Sequence, residues 1–549
     1  MNFPIPDPVR LEVIRNALLA GAEEMNVSIW RTARSTVVRE TLDYSTALFS
    51  PDGEAVAQST RIPVHLNSMS TCLEDIVAHH IPLEDWQPGD VIATNDPYCG
   101  GQHLPDFVLF QPVYIGEQRV AITAAIVHHV DVSGGAPGSY YAGAQEVYQE
   151  GLRLPPIKLV EAGRNNEAVF AIVRQNSREP EKIIGDLQAQ LASLGVGARA
   201  IERLARRYPV DDITNAMRAI VNQAELAMRD TISAIPDGTY RFEDFVDDDG
   251  QAAEDLSIIA SVTVAGEHCN VDLSESADQT PGPVNCTLNM ARSAVYCALL
   301  SVADGRVMAN SGAYRPISVV CRSGSIVNCE EPAPVANRMA TGHRVVTTVL
   351  GALAQALPTQ IPAAYYGVSY VAALSAPDRF VKGERRVYFE IEVGGWGGGP
   401  RGDGADGYSA GFHNLANSPV EMCESLFPVV FTEYGFIPDS GGDGQYRGGL
   451  GLKREWRLDA DWGVMSGNFE RFRHAPYGLQ GGQPGSKGRF LHTHAEGVTE
   501  LRSKVSGLQL QRGDCVALET SGGGGWGKPQ QRDPAARAAD RRGGYCTDN

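Results

Sequence analysis

The sequence predicts a large, multi-domain α+β protein, rich in strands and with a helical block in its N-terminal half. Three observations carry that expectation. The chain has 549 residues, several times the roughly 150 of an average domain. Short apolar runs broken by Gly, Pro, Asn and Asp recur along most of it, as in strands joined by turns. Only residues 164–233 sustain a 3.6-residue apolar period through several successive segments.

Taken in order, residues 9–33 place Leu11, Ile14, Leu18 and Ala22 at helical spacing behind an Asp-Pro start. DVIATNDPYCGG, DFVLFQPVYIG and RVAITAAIVHHV read as strands, the last two forming a hairpin around Gly116-Glu117. The helical block follows, and IPDGTYRFEDFVDDDG marks a change near residue 236. Strands then alternate with helices expected at 289–303 and 341–357. From Arg385 onward the chain reads as strands and glycine-rich loops, closing in a polar, Arg-rich tail from Gln530 expected to be loosely ordered. The expected divisions are therefore 1–235, an α+β region with the helical block; 236–384, a mixed region; and 385–549, a glycine-rich β region.

Composition narrows the function. With 47 basic and 66 acidic side chains the formal net charge is −19, which argues against a nucleic-acid partner, because phosphate binding needs surplus positive charge. Ten cysteines are scattered without a CxxC pair, as expected of a reduced cytoplasmic protein. No apolar signal-peptide core is visible near the start, and Val345–Pro358 is too short to span a bilayer. Two phosphate-loop look-alikes are discounted. In GGGGWGK (522–528) the next residue is Pro529, which lacks the hydroxyl that would hold magnesium. In the GxGxxG of Gly402, Gly404 and Gly407, Asp403 and Asp406 would repel a pyrophosphate. Arg401 and Arg447 are the cations there that could meet a carboxylate or phosphate, although tight turns explain these segments more simply.

The dense polar constellation lies between Asn95 and Glu150. It holds Asn95, Asp96, His103 and Asp106 in NDPYCGGQHLPD, His128, His129 and Asp131 in VHHVDVSGG, then Glu146 and Glu150. His103 and Asp106, three apart on a loop, can turn toward one point. His128 and His129 end a strand, where successive side chains face opposite ways, so only one easily joins them. His and carboxylate ligands with an open position suit zinc, manganese or iron. The competing explanation is that these residues cap strands and satisfy turns.

TNDPYCGGQHLPDF, VHHVDVSGGAPGS and QEGLRLPPIKL together resemble the hydantoinase B/5-oxoprolinase family, which includes subunits of caprolactamase and of acetone and acetophenone carboxylases. The resemblance extends through RIPVHLNSM (61–69), PGPVN (281–285), EPAPVANR (331–338), GGWGGGPRGDGADG (394–407), DSGGDGQYRGGLG (439–451) and SGGGGWGKP (521–529). It implies a division of labour in which a hydantoinase A-type partner subunit of actin-like fold binds ATP and phosphorylates the amide oxygen of a small cyclic amide. The B-type chain then completes hydrolysis within a hetero-oligomer. Carried over residue by residue, the resemblance implies a divalent metal held by Asp43, His103, Asp106 and His128. His129 and Asp131, beside His128, are the candidate catalytic residues, as proton carriers or as groups that orient the ligand. Asp131 could equally hold the following SGG turn, and Glu150 reads as structural. The alternative is the matching subunit of an ATP-dependent ketone carboxylase.

Overall fold

Asp7 accepts a hydrogen bond from the amide of Val9, and Pro8 opens helix α1 (Pro8–Thr32), an N-cap followed by the residue that suits the first helical turn. The computed structural model describes residues 7–547 except Thr60, Asp304 and Ala410. The first sheet comprises β1 (Tyr44–Phe49), β2 (Ala55–Gln58), β3 (Val91–Thr94), β4 (Asp106–Ile115), β5 (Gln118–His128), β6 (Ile157–Glu161) and β7 (Arg164–Asn165), in the order β2-β1-β5-β4-β3-β6-β7. The β4–β5 hairpin turns at Gly116-Glu117. Both faces of its central strands are covered. Ala125 and Val127 of β5 join the core shared with α1 and the helices Pro180–Ala205 and Val210–Ser233, whereas Ile122, Ala124 and Ile126 pack with Met69, Leu73 and Trp86. The helical block is completed by Glu167–Gln175.

A second, four-stranded sheet (Gly238–Asp248, Glu254–Ala265, His268–Asp272, Ile317–Val320) carries the helices Leu288–Val302 and Met339–Ala356. The latter is buried on almost every side, including Arg344 and His343, as its nearly unbroken apolar sequence demands. Two antiparallel sheets complete the chain. One contains Tyr370–Pro377, Arg385–Glu392, Trp462–Asn468 and Lys504–Gln511; the other contains Val429–Phe436, Leu452–Leu458, Arg489–His494, Gly497–Leu501 and Cys515–Glu519. The hairpin of Tyr370–Pro377 with Arg385–Glu392 crosses residue 384. The architecture is α+β, with its long helices concentrated before residue 236.

The glycine-rich segments lie against one another as extended chains. Gly523 N–H donates to Gly449 O at 2.9 Å, Gly449 N–H to Trp396 O at 2.7 Å, and Gly442 N–H to Gly523 O at 2.8 Å. Every amide from Gly522 to Gly527 is used in this way, by Ser486 Oγ or by the carbonyls of Gly449, Ala364, Gln483, Tyr446 and Leu479. The amides of 522–527 are therefore not left for a phosphate. Asp403 and Asp406 are likewise committed, to Arg532 and Arg447. The chain end departs from expectation. Residues after Gln530 are not loose, because Pro534–Arg542 is helical and Asp540 is buried between Arg447 (3.2 Å) and Arg532 (2.6 Å).

A Cβ at Gly523 would stand 1.9 Å from the Trp396 carbonyl oxygen, whereas one at Gly402 meets nothing within 4 Å. Gly523→Ala is expected to cost about 3 kcal/mol or more, or to prevent folding, because backbone cannot give way as a side chain can. Gly402→Ala should leave the melting temperature within a degree or two of wild type, on the order of 0.5 kcal/mol.

Candidate metal centre

The open end of the β4–β5 hairpin builds the site. Asp106 begins β4, His128 ends β5, and the register pairs them directly, so both side chains leave the same face. Asp106 N–H donates to His103 O at 3.2 Å and His129 N–H to Pro105 O at 2.8 Å, which folds the HxxD turn back over the strand ends. Gly100, at φ +71°, lets that loop lie against the backbone of Cys72, which a Cβ would meet at 2.5 Å. Asn95 fastens its base, accepting from Leu154 N–H at 2.7 Å and donating to the Leu104 and Leu152 carbonyls. Asp96 pairs with Arg153 at 2.8 Å.

One ligating atom from each of His103, Asp106 and His128 lies within 4.8 Å of the others. The three residues are at most 2% exposed. His103 Nε2 stands 3.0 Å from Asp106 Oδ2, but neither nitrogen of either imidazole makes a hydrogen bond among the described residues, nor does Asp106 Oδ1. Buried polar atoms are nearly always satisfied, so five orphans in one place, among them one lone-pair nitrogen of each neutral imidazole and a carboxylate oxygen, mark a site for something that accepts lone pairs. Burial, reinforced for His103 by the charge of Arg338 and for His128 by His103, holds both imidazoles well below their ordinary pKa. They are therefore in the neutral form that ligates a metal. An adjoining cavity of about 10 Å³ is lined by Asp43, His65, His128, Tyr140, Arg338 and His413 among others, room for about one water or ion. The donors fit a zinc, manganese or iron ion.

Asp43 reaches this cavity from the residue before β1, beside His128; the His128 N–H donates to its carbonyl at 3.1 Å. It is not one of the three residues crowded within 4.8 Å. Burial and the nearby charge of Asp106 push its carboxyl up to about 8, the behaviour of two acids sharing one dry site.

His129 and Asp131 are placed elsewhere. The His129 ring packs edge-on against Phe107 at 4.7 Å, on the helix-covered side of the sheet, and burial holds it at about 4. Asp131 accepts from the amides of Ser133, Gly138 and Arg178 and from the Arg178 guanidinium at 2.9 Å, which pins the turn after the strand. Neither lines the cavity. Glu150 locks a distant loop, its Oε1 accepting from Ala336 N–H at 2.7 Å.

That loop delivers the residue the sequence reading missed. Arg338, last in EPAPVANR and 3% exposed, donates to Asp106 Oδ2 at 2.9 Å across 232 residues of sequence, and its Nε and Nη1 remain unpartnered among the described residues. His65 of RIPVHLNSM was missed as well; its Nε2 is 3.9 Å from Asp43 and its Nδ1 3.0 Å from Ser45 Oγ. A third omission is a buried chain behind the cavity. His413 Nε2 lies 2.5 Å from Ser369 Oγ and 3.3 Å from His343 Nε2, and His343 Nδ1 lies 2.8 Å from Tyr365 Oη. Membership of a matched motif was the available signal for His65 and Arg338; nothing local singles out His343 or His413.

Burial holds His413 near 3 and His343 well below its usual value. The unfolded chain takes up these protons as the pH falls below about 6.5, while the folded chain does not, so stability is full above that pH and drains away below it. Each such histidine is expected to cost roughly 1.4 kcal/mol per pH unit. Melting temperatures followed from pH 7.5 to 5 should fall less steeply in His413→Asn than in wild type.

The chain's relatives agree with this architecture. Residues 7–529 match the sequence pattern of the family described as hydantoinase B/oxoprolinase. The caprolactamase subunit beta of Pseudomonas jessenii is 32% identical over 98% of this chain and 94% of its own length. The crystal structure of ATP-dependent caprolactamase from the same organism superposes with a TM-score of 0.92 at 30% identity, covering 98% of this chain and 94% of the other. A nucleotide-free acetone carboxylase structure superposes at 0.90 with 18% identity, over 99% of this chain and 78% of that one, which shows a shared fold. By its sequence over nearly the whole length, this chain belongs to the hydantoinase B/oxoprolinase family.

Proposed function

We propose that this chain is the metal-containing subunit of an ATP-dependent enzyme that opens a cyclic amide ring, a hydantoin, N-methylhydantoin, oxoproline or lactam. An ATP-binding partner subunit of actin-like fold phosphorylates the amide oxygen, and this chain hydrolyses the activated intermediate. The observation that carries the reading is the buried set of unpartnered ligating atoms on His103, Asp106 and His128, in a chain similar along its length to an ATP-dependent caprolactamase. The amides of residues 522–527, spent on neighbouring carbonyls and one serine hydroxyl, support ATP being handled on another polypeptide.

An amide is a poor electrophile with a poor leaving group, and phosphorylating its oxygen remedies both. Asp43, His103, Asp106 and His128 are the residues that would hold the cation. When bound, a divalent metal supplies Lewis acidity toward a carbonyl or phosphoryl oxygen and acidifies water. The chain's own residues do the rest. Arg338, fixed through Asp106, keeps buried N–H groups for an oxygen that gains negative charge, and such donors act strongly where water is excluded. His65 is bonded to Ser45 and held neutral by burial, near 4, beside Asp43, whose carboxylate it orients. Asp131 and His129 act through position, the first by holding the turn that follows His128 and the second by anchoring the strand end.

Supplied with its partner, ATP and either hydantoin, 5-oxoproline or caprolactam, the enzyme is expected to open at least one ring while releasing ADP. Fixation of bicarbonate onto a ketone without any ring opening would overturn the reading. His103→Ala and Asp106→Ala should empty the site by metal analysis and lower turnover on the order of 100-fold or more. Zinc or manganese added to metal-free protein at 100 times the dissociation constant should stabilise wild type by about 2.7 kcal/mol, and neither variant. Arg338→Met should keep the metal yet lose about 100-fold in turnover.

A further inference from the structure

Beyond the metal centre, a pocket of about 490 Å³ opens between the helices Leu288–Val302 and Met339–Ala356 and the glycine-rich segments. That volume is the size of a small-molecule site. Its walls include Tyr365, Trp396, Gln360 and Tyr477, and two arginines line it, Arg306 and Arg401. No acidic side chain lines it among the described residues, although the chain as a whole carries a net charge of −19. Neither arginine pairs with a carboxylate among the described residues, and the one hydrogen bond from Arg306 goes to the Ala303 carbonyl at 3.5 Å. The contrast with Arg447 is direct: that arginine, from the neighbouring glycine-rich segment, is bidentate to Asp406 and bonded to Asp540. Arg306 and Arg401 keep their forked donors for a ligand.

The pocket is also a neighbour of the metal centre. Tyr365, in its wall, hydrogen-bonds His343, and His343 meets His413, which lines the small cavity beside His128 and Asp43. Three side chains thus run from one cavity to the other.

We propose that this pocket is a binding site for a small organic anion, a carboxylate- or phosphate-bearing molecule gripped by Arg306 and Arg401 with its body against Tyr365 and Trp396. Guanidinium groups match both anions through paired N–H donors, and a wall without acidic side chains among the described residues removes the repulsion that an acidic protein would otherwise exert. The site does not require ring opening, and its test contains no turnover.

The full-length chain is titrated calorimetrically, at low ionic strength, with inorganic phosphate and separately with glutarate. Wild type is expected to bind about one equivalent of at least one of them, the preferred anion telling a phosphate site from a carboxylate site. The double variant R306A/R401A should bind on the order of tenfold more weakly or worse. Arg502→Ala, which removes an exposed arginine outside the pocket, should bind as wild type does. Both variants alter exposed side chains, and an unchanged melting temperature and metal content certify the fold. Absence of binding by wild type at millimolar concentration, or equal affinity in the double variant, overturns the proposal and leaves the ring-opening reading untouched.

Discussion

A charge taken out of water must meet an opposite charge, and this requirement ties the sheets of the protein together. Arg344, from the helix Met339–Ala356, and Arg471 are fully buried and converge on Asp244 of the second sheet at 3.7 and 3.0 Å. Lys504 of the third sheet reaches Glu470 at 2.5 Å. Arg454 of the fourth meets Glu390 of the third at 2.6 Å. Lys504 and Glu470 meet within the third sheet, where Glu470 also receives Arg344 at 3.4 Å, but the other pairs join different sheets or segments far apart in sequence, so Arg344, Arg471 and Arg454 are not neutralised until the sheets have assembled. Losing one partner of such a pair typically costs 3–5 kcal/mol, far more than the pair itself contributes over apolar packing. The charges therefore specify the arrangement more than they strengthen it.

The candidate metal centre is where that rule is left incomplete. Arg338 and His103 Nε2 approach one oxygen of Asp106, yet the other oxygen, His103 Nδ1 and both His128 nitrogens face a dry interior without a hydrogen bond among the described residues. Desolvation holds the histidines neutral and raises Asp43, so the site is electrostatically arranged to welcome a cation. Geometry and charge agree because one hairpin register sets both: pairing Asp106 with His128 fixes the distance between ligands and buries them together.

The glycine-rich C-terminal half shows how the same residue type can suggest one thing in sequence and do another in space. GGGGWGK has the spacing of a phosphate loop, but its amides from 522 to 527 are consumed by neighbouring glycine-rich segments and one serine hydroxyl, at approaches only glycine permits. Within these segments Arg447 is locked between acids while Arg401 meets no carboxylate among the described residues, a difference invisible in GGPRGDG and GQYRGGLG.

The sequence by itself determined the α+β class, the helical block, the hairpin at Gly116-Glu117 and the HxxD and HHxD segments, since local periodicity and turn chemistry act over a few residues. It also marked the HxxD pair His103 and Asp106 and left His128 and His129 as alternatives, because spacing and strand alternation are short-range facts; the choice of His128 came through resemblance. Asp43 came only through resemblance. Tertiary structure decided which neighbour of His128 turns away, since strand alternation sends His129 toward Phe107. It alone brought Arg338 to Asp106, His65 to Asp43 and His413 to the cavity wall. It also ordered the Arg-rich tail, because Asp540 finds Arg447, and Arg532 finds Asp403, only once the glycine-rich segments are in place. These contacts span tens to hundreds of residues, and what selects them is the cost of burying polar groups alone, a quantity that exists only after the chain has folded.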